Sequence, residues 1–417
     1  MKSAFEKVYF FAAVCANLSV FAAVLGGNAA QSPGGDSSAL SSGNSDPVLL
    51  ALNLAFGIAT VFLAFPKIPQ IVFLLTRMKL LLALYILVGL SLLWSTDRAA
   101  TFRNAAYLLV YLIAAAYLAL RFNGEEIISF LGTCMTILAL ASIPANFILP
   151  PDPYQPDSWK GVFLQKNELG IAMTIGITAL IMAKRKWTVI RAASLITCSS
   201  LLLLSKSMTS ILAAAVAIAA VTYLRLNRHI SILFLTAVTG AAFALSIAAP
   251  NLPDTLFDAT GRNATFSGRT AIWGLVAMKI GERPALGYGY GAFWSTEADS
   301  INEFLNGFKP GQAHNGYLEI CLDLGILGLV LSCLLAAGGI RRALRLNRES
   351  GIRGGDWMLI VTALLLIHNV AESDLMVVHV MWFIFMVSTL SCWKEEYEFR
   401  TFNVDEALPA EADLVSA

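Results

Sequence analysis

Met78-Lys-Leu-Leu-Leu-Ala-Leu-Tyr-Ile-Leu-Val-Gly-Leu-Ser-Leu-Leu-Trp94 carries one charge, Lys79, at its edge. A run of this length and polarity reads as a membrane-crossing helix, because ~20 apolar residues cover ~30 Å of hydrocarbon. Runs of the same kind lie near 8–25, 48–65, 104–121, 126–148, 166–183, 187–204, 208–224, 229–249, 315–339, 356–370 and 375–393. The fold expected is therefore an all-α polytopic membrane protein with about twelve transmembrane helices. Composition agrees. The chain has 417 residues, 57% of them hydrophobic and 14% charged, and its mean hydropathy is +0.69. A soluble domain carries about 25% charged residues. A net charge of +1 gives no footprint for nucleic acid.

The spans divide the chain into transmembrane helices 1–9 over residues 1–249, a large outer loop over 250–314, helices 10–12 over 315–393, and a disordered cytoplasmic tail over 394–417. Lys2 and Lys7 ahead of the first run also fit a signal peptide, but a retained first helix is the expectation. Lys and Arg set the orientation. With both termini cytoplasmic, nineteen of the 29 basic residues fall inside and ten outside. The six cysteines sit in apolar runs without metal-ligand spacing. No charged residue falls mid-span, and no inverted repeat with broken helices is visible. Both absences argue against an ion-coupled transporter.

The ten outer cations mark where chemistry is to be sought. Lys160 and Lys166 flank the start of a helix that Asn167 is placed to cap. Arg262 and Arg269 flank another start, where Ser267 is a plausible cap and Trp273 is expected at the lipid interface. The helix dipole disfavours cations there, unless an anion lies between them and the free N–H groups. Gly281–Trp294 offers Tyr288, Tyr290 and Trp294 as a sugar-stacking platform; tight turns with aromatic packing are the plainer reading. His314 opens a span in which Asn315, Glu319 and Asp323 follow at steps of four and share one face. His314 is placed to take a hydroxyl proton, and Glu319 to set its protonation state. His368 and Glu372, in the turn 368–374, again group histidine and carboxylate at the outer boundary and are candidate sugar contacts, as is Asn315.

Together these segments resemble the O-antigen ligase and Wzy-type polysaccharide polymerase superfamily. The carrying stretches are Gly161–Gly170, Ser205-Lys-Ser-Met-Thr-Ser210, Ser267-Gly-Arg-Thr-Ala-Ile-Trp273, Pro284–Trp294 and His314-Asn-Gly-Tyr-Leu-Glu319, in the family's order. The wording around Gly268-Arg-Thr270 and Tyr288–Trp294 looks most like exopolysaccharide polymerases of the succinoglycan type. The resemblance implies a lipid-dependent, metal-independent glycosyltransferase of GT-C-like architecture in the bacterial inner membrane, with a periplasmic active site and no cofactor. Its donor would be an oligosaccharide on undecaprenyl pyrophosphate. A flippase and a chain-length regulator are the partners it suggests. By motif, Arg269 matches one of the family's pyrophosphate-holding arginines and His314 its histidine near the acceptor, while Lys160 stands where the other arginine usually does. Polymerase is the first expectation. A ligase acting on lipid A core and a transporter or flippase are the alternatives.

Overall fold

The computed structural model describes residues 4–18, 20–25, 47–152, 155–183, 187–226, 267–297, 311–349 and 354–407. Among them there is helix and loop but no strand. The ninth expected span, most of the outer loop and Arg262 lie outside the described residues.

Helices α1 (Ala4–Asn17) and α2 (Val20–Leu25) together cover the first apolar run. Helix α3 (Pro47–Ala64) continues through a 3₁₀ turn, Phe65–Lys67, into α4 (Ile68–Arg77). Pro66 and Pro69 sit at the N-terminal positions of the two short segments, where a missing N–H is harmless. Then follow α5 (Lys79–Leu90), α6 (Arg98–Arg121), α7 (Gly124–Ile148), α8 (Lys166–Met182), α9 (Val189–Leu204) and α10 (Met208–Leu226). Asp97 caps α6 by accepting from Ala100 N, and Asn123 with Glu126 forms a reciprocal capping box on α7. Further along the chain come α11 (Ser267–Glu282), the single turn α12 (Phe293–Thr296), α13 (Gly316–Glu349), α14 (Gly354–His368) and α15 (Val380–Ala407).

Among the described residues, four stretches are long and apolar enough to cross a membrane by length and composition: Ala51–Arg77, Arg98–Arg121, Gly124–Ile148 and Gly316–Leu346. Shorter apolar helices accompany them. Large apolar side chains such as Phe62, Phe147, Ile148 and Val189 stand exposed on the outside of the bundle, where lipid rather than water accounts for them. The chain is a multi-pass membrane protein. Helix α8 is sunk in its middle, packed against α7, α9 and α10. Helices α13, α14 and α15 pack in sequence, and α15 closes onto α6.

Two features depart from the sequence reading. Helix α13 is broken at Gly325, whose φ of 66° and ψ of −167° are not helical. The glycine-rich segment fills the break: Tyr288 N donates to Leu322 O at 2.7 Å, Gly289 N to Asp323 O at 3.0 Å, and Ile326 N to Pro284 O at 2.8 Å. A Cβ on Gly287 would stand 2.3 Å from Leu322 O, so only glycine permits this approach. An interrupted helix within a bundle needs such protein partners for its freed backbone groups. The second departure is α15, which runs on to Ala407 through the stretch expected to be tail from 394. Tertiary pairing explains it. Glu395 accepts from Gly124 N at 2.6 Å, and Glu396 pairs with Arg342 at 2.8 Å and Arg345 at 3.3 Å.

Candidate functional site

The turn between α14 and α15 gathers the other elements. Asn369 Oδ1 accepts from Asp374 N and Leu375 N, both at 2.9 Å, which curls the turn back on the end of α14. Gly316 N, at the start of α13, donates to Asn369 O and Glu372 O. Asn315 Oδ1 caps the same helix start, accepting from Tyr317 N at 3.1 Å and Leu318 N at 3.2 Å, while its amide reaches Val370 O. The turn is therefore fixed to α13 before any functional side chain is counted.

Glu372 is the hub. It is buried, 7% exposed, yet three elements address its carboxylate. Arg269, in the first turn of α11, donates from Nη2 to Glu372 Oε1 at 3.0 Å and from Nη1 to Ala371 O. Asn167, at the start of α8, donates to the same Oε1 at 2.7 Å. His314 Nδ1 stands 3.5 Å from Oε2, within ion-pair range but without a well-formed hydrogen bond. Burial alone would raise the Glu372 carboxyl; the Arg269 guanidinium and His314 outweigh it and bring the carboxyl down to about 2. His314 is itself held at φ 50°, a conformation uncommon for residues with a Cβ and one that tends to persist at functional positions.

Lys166 borders this cluster, while Lys160 lies near Asp152 and Glu168. Lys166 Nζ donates to Gln155 Oε1, its backbone N donates to Asp152 Oδ2 at 2.9 Å, and its ammonium lies close enough to interact with Arg269, Glu372 and Lys206. Lys160 is 3% exposed, and its ammonium makes no hydrogen bond or ion pair among the described residues. Burial lowers its pKa despite the nearby Asp152 and Glu168 carboxylates. Asp152 and Glu168 offset part of the cost of burying this cation, and an incoming anion would offset more of it. Below Glu372, Asp374 is bracketed by His368 Nδ1 and, at 2.9 Å, by His379 Nδ1. Burial would raise the Asp374 carboxyl, but the two histidines hold it well below the carboxylate range.

The structure thus brings together Arg269, Lys166, His314 and Glu372 from the expected residues, and it reassigns several others. Tyr288 and Tyr290 are 3% and 4% exposed, which removes them as a sugar platform. Tyr288 Oη donates to Lys279 O and Glu282, and Tyr290 Oη to Met376 O at 2.6 Å. Trp294 is half-buried and donates to Glu319 Oε1 at 2.6 Å. Glu319 also accepts from Ala313 N at 2.6 Å, so its described contacts fasten α12 and the loop before α13. The carboxylate beside His314 is that of Glu372, the residue expected to touch sugar, and not Glu319. Asp323 Oδ1 accepts from Gly291 N, so the shared acidic face addresses the glycine-rich segment. Asn315 and His368 are buried in structural contacts and not open to sugar. The cap of α8 is Gln165, leaving Asn167 for Glu372. Trp273 is buried and donates to Ala313 O at 2.9 Å instead of lying at an interface.

Sequence reasoning counted Asp374 only as part of the turn 368–374, and passed over His379 and the Asn167–Glu372 link. The Lys166-Asn167-Glu168 triplet at a helix start was the available signal for the last. The Ser205–Ser210 stretch makes the turn between α9 and α10 and packs on Gly170, where a Cβ would stand 2.6 Å from Ser210 Oγ.

Residues 192–333, a stretch that includes Arg269 and His314, match the family described as O-antigen ligase (Wzy_C). Over 244 residues the chain is 29% identical to the exopolysaccharide production protein ExoQ of Rhizobium meliloti, covering 52% of this chain and 54% of that protein. Over 87 residues it is 38% identical to a putative polysaccharide ligase of Rickettsia conorii, covering 20% of this chain and 21% of that protein. The matched part spans about half the length of the first relative and about a fifth of the second.

Proposed function

We propose that the chain is a membrane glycosyltransferase that joins oligosaccharide repeat units carried on undecaprenyl pyrophosphate, at the periplasmic face of the inner membrane with both termini cytoplasmic. The observation that carries this is the convergence on Glu372: one buried carboxylate aims an arginine and faces a histidine, while Lys166 stands beside the same cluster.

In this reading an acceptor hydroxyl attacks the anomeric carbon of the donor sugar. The bond from that carbon to the pyrophosphate oxygen breaks, and its electron pair leaves with the lipid pyrophosphate. Arg269, Lys160 and Lys166 offset the charge that builds on the leaving group, with Arg262, seven residues before Arg269 in the sequence, joining them. Arginine suits the task because its planar fork fits phosphate oxygens. His314 takes the acceptor proton, and the Glu372 carboxylate stabilises the imidazolium that forms. Trp294 remains the aromatic candidate for sugar contact.

A second reading, ligation of finished polysaccharide to lipid A core, draws on the O-antigen ligase match and the putative polysaccharide ligase. It shares the donor chemistry and differs in acceptor. Deletion separates the two: loss of high-mass secreted polymer supports polymerisation, and loss of long-chain lipopolysaccharide supports ligation. A flippase and a chain-length regulator are the partners this reading proposes.

A further inference from the structure

A groove of about 1280 Å³ lies between α3 and α6, away from Glu372. Its walls are mostly apolar, with Ile58, Val61 and Phe65 on one side and Tyr107, Val110 and Tyr111 on the other. The α6 residues recur at helical spacing and so form one continuous stripe. At the Arg121 end the groove meets a smaller pocket of about 450 Å³, and Lys67 and Arg121 line both. That end is opposite to the candidate active site, because α6 begins beside the glycine-rich segment, where Asn104 donates to Gly291 O.

The small pocket combines cations with aromatic rings. Lys67 and Lys394 stand on its wall with Phe73, Trp393 and Tyr397. The Trp393 and Tyr397 rings stack at 5.2 Å, and Phe73 meets both edge-on. Arg121 is already matched by Glu6 at 2.5 Å, and Glu398 is exposed at the rim. Lys67 has no hydrogen bond or ion pair among the described residues. Lys394 donates to Phe122 O at 3.2 Å.

We propose that this composite site holds a membrane phospholipid, with its phosphate between Lys67 and Lys394 and one acyl chain in the groove. Charge complementarity selects the head: Lys67 faces a pocket in which Arg121 is already matched by Glu6, Lys394 adds a second ammonium to the wall, and the Glu398 carboxylate sits at the rim. Reach selects the tail. From Arg121 back to Tyr111 is roughly 15 Å of helix, half of the ~30 Å hydrocarbon thickness, which is what one leaflet's acyl chain covers. Tryptophan and tyrosine at the mouth are the side chains that settle at head-group level. Lysine ammonium groups near a membrane surface favour anionic lipid by about 1 kcal/mol each.

The test is lipid retention by the full-length protein purified in detergent, with dioleoyl phosphatidylglycerol as the added probe and native mass spectrometry as the readout. The expected result is one lipid bound per chain. Affinity should fall roughly fivefold in Lys67→Gln, and again in Lys67→Gln with Lys394→Gln. Gly57→Leu should abolish binding by filling the groove. A Cβ at Gly57 meets nothing within 4 Å, so the variant is not expected to disturb folding. Added phosphatidylglycerol should raise the unfolding temperature of the unaltered protein and leave that of Gly57→Leu unchanged. Equal stabilisation by dioleoylglycerol, which lacks the phosphate, overturns the proposal. So does equal retention by the lysine variants and the parent, or recovery of a polyprenyl phosphate in place of a phospholipid.

Discussion

Replacing Glu372 with glutamine tests the hub of the site. The substitution keeps the shape and one acceptor oxygen but removes the charge that Arg269 meets at 3.0 Å and His314 at 3.5 Å. The carboxyl stands at about 2 in the folded protein, against an ordinary glutamate near ~4.3. Linkage converts that difference into about 3 kcal/mol. A second route gives a similar size, since breaking one partner of a buried pair costs about 3–5 kcal/mol. The direction with pH follows from the lowered value. Glu372 contributes its stability above the unfolded pKa, and the contribution is lost as pH falls from ~4.3 through about 2. Thermal unfolding in detergent should therefore show Glu372→Gln well below the parent at pH 7, with the gap closing as pH falls through that window. Glycosyl transfer should drop by about 10²–10³, because Arg269 loses its orientation. Parent-like stability at pH 7 together with parent-like transfer would refute the assignment of Glu372 as the organising group.

Lys160→Met should leave the fold as stable or more stable, since it removes a cation whose burial cost outweighs its attraction to Asp152 and Glu168. The same change should lower transfer by ~10-fold or more if that ammonium meets the pyrophosphate; unchanged transfer by the stable variant removes Lys160 from the site. Arg269→Lys keeps the charge and loses the fork, so transfer by the reconstituted enzyme should fall by about 10² with little change in protein abundance. Tyr290→Phe, read by thermal unfolding and product yield, should cost about 1 kcal/mol from the lost bond to Met376 O and leave product length unchanged; a shortened product would restore Tyr290 as a sugar contact. Gly287→Ala should destabilise strongly, because its Cβ would meet Leu322 O at 2.3 Å; parent-like unfolding would show that the seam at the α13 break can give.

Most helices were legible because an apolar run of membrane length has few other uses. The start of α8 and the end of α7 fall close to where polarity changes. The break in α13 was not legible. Gly325 follows Leu324 and precedes Ile326 inside an apolar run, with nothing beside it to mark a stop. The signal lies well upstream in Pro284–Gly291, whose backbone fills the gap. Burial side was equally hidden for Tyr288 and Tyr290, because alternation with glycine does not say which face is covered. Arg269 and His314 stand out in the sequence because cations and a lone histidine at helix starts are costly without a reason. Glu372 was seen as polar but not as central, since Arg269 and Asn167 reach it across 103 and 205 residues of chain. The helical extension past Trp393 depends on Arg342 and Gly124, which only packing brings to Glu396 and Glu395.

The most direct measurement is reconstitution of the purified protein in lipid vesicles with undecaprenyl-pyrophosphate-linked oligosaccharide, with products sized by gel. The account predicts a ladder of joined repeats from the parent protein and none from His314→Ala or Arg269→Ala present at equal amount. Movement of the lipid-linked repeat across the bilayer without any new glycosidic bond, or an undiminished ladder from either variant, would contradict it.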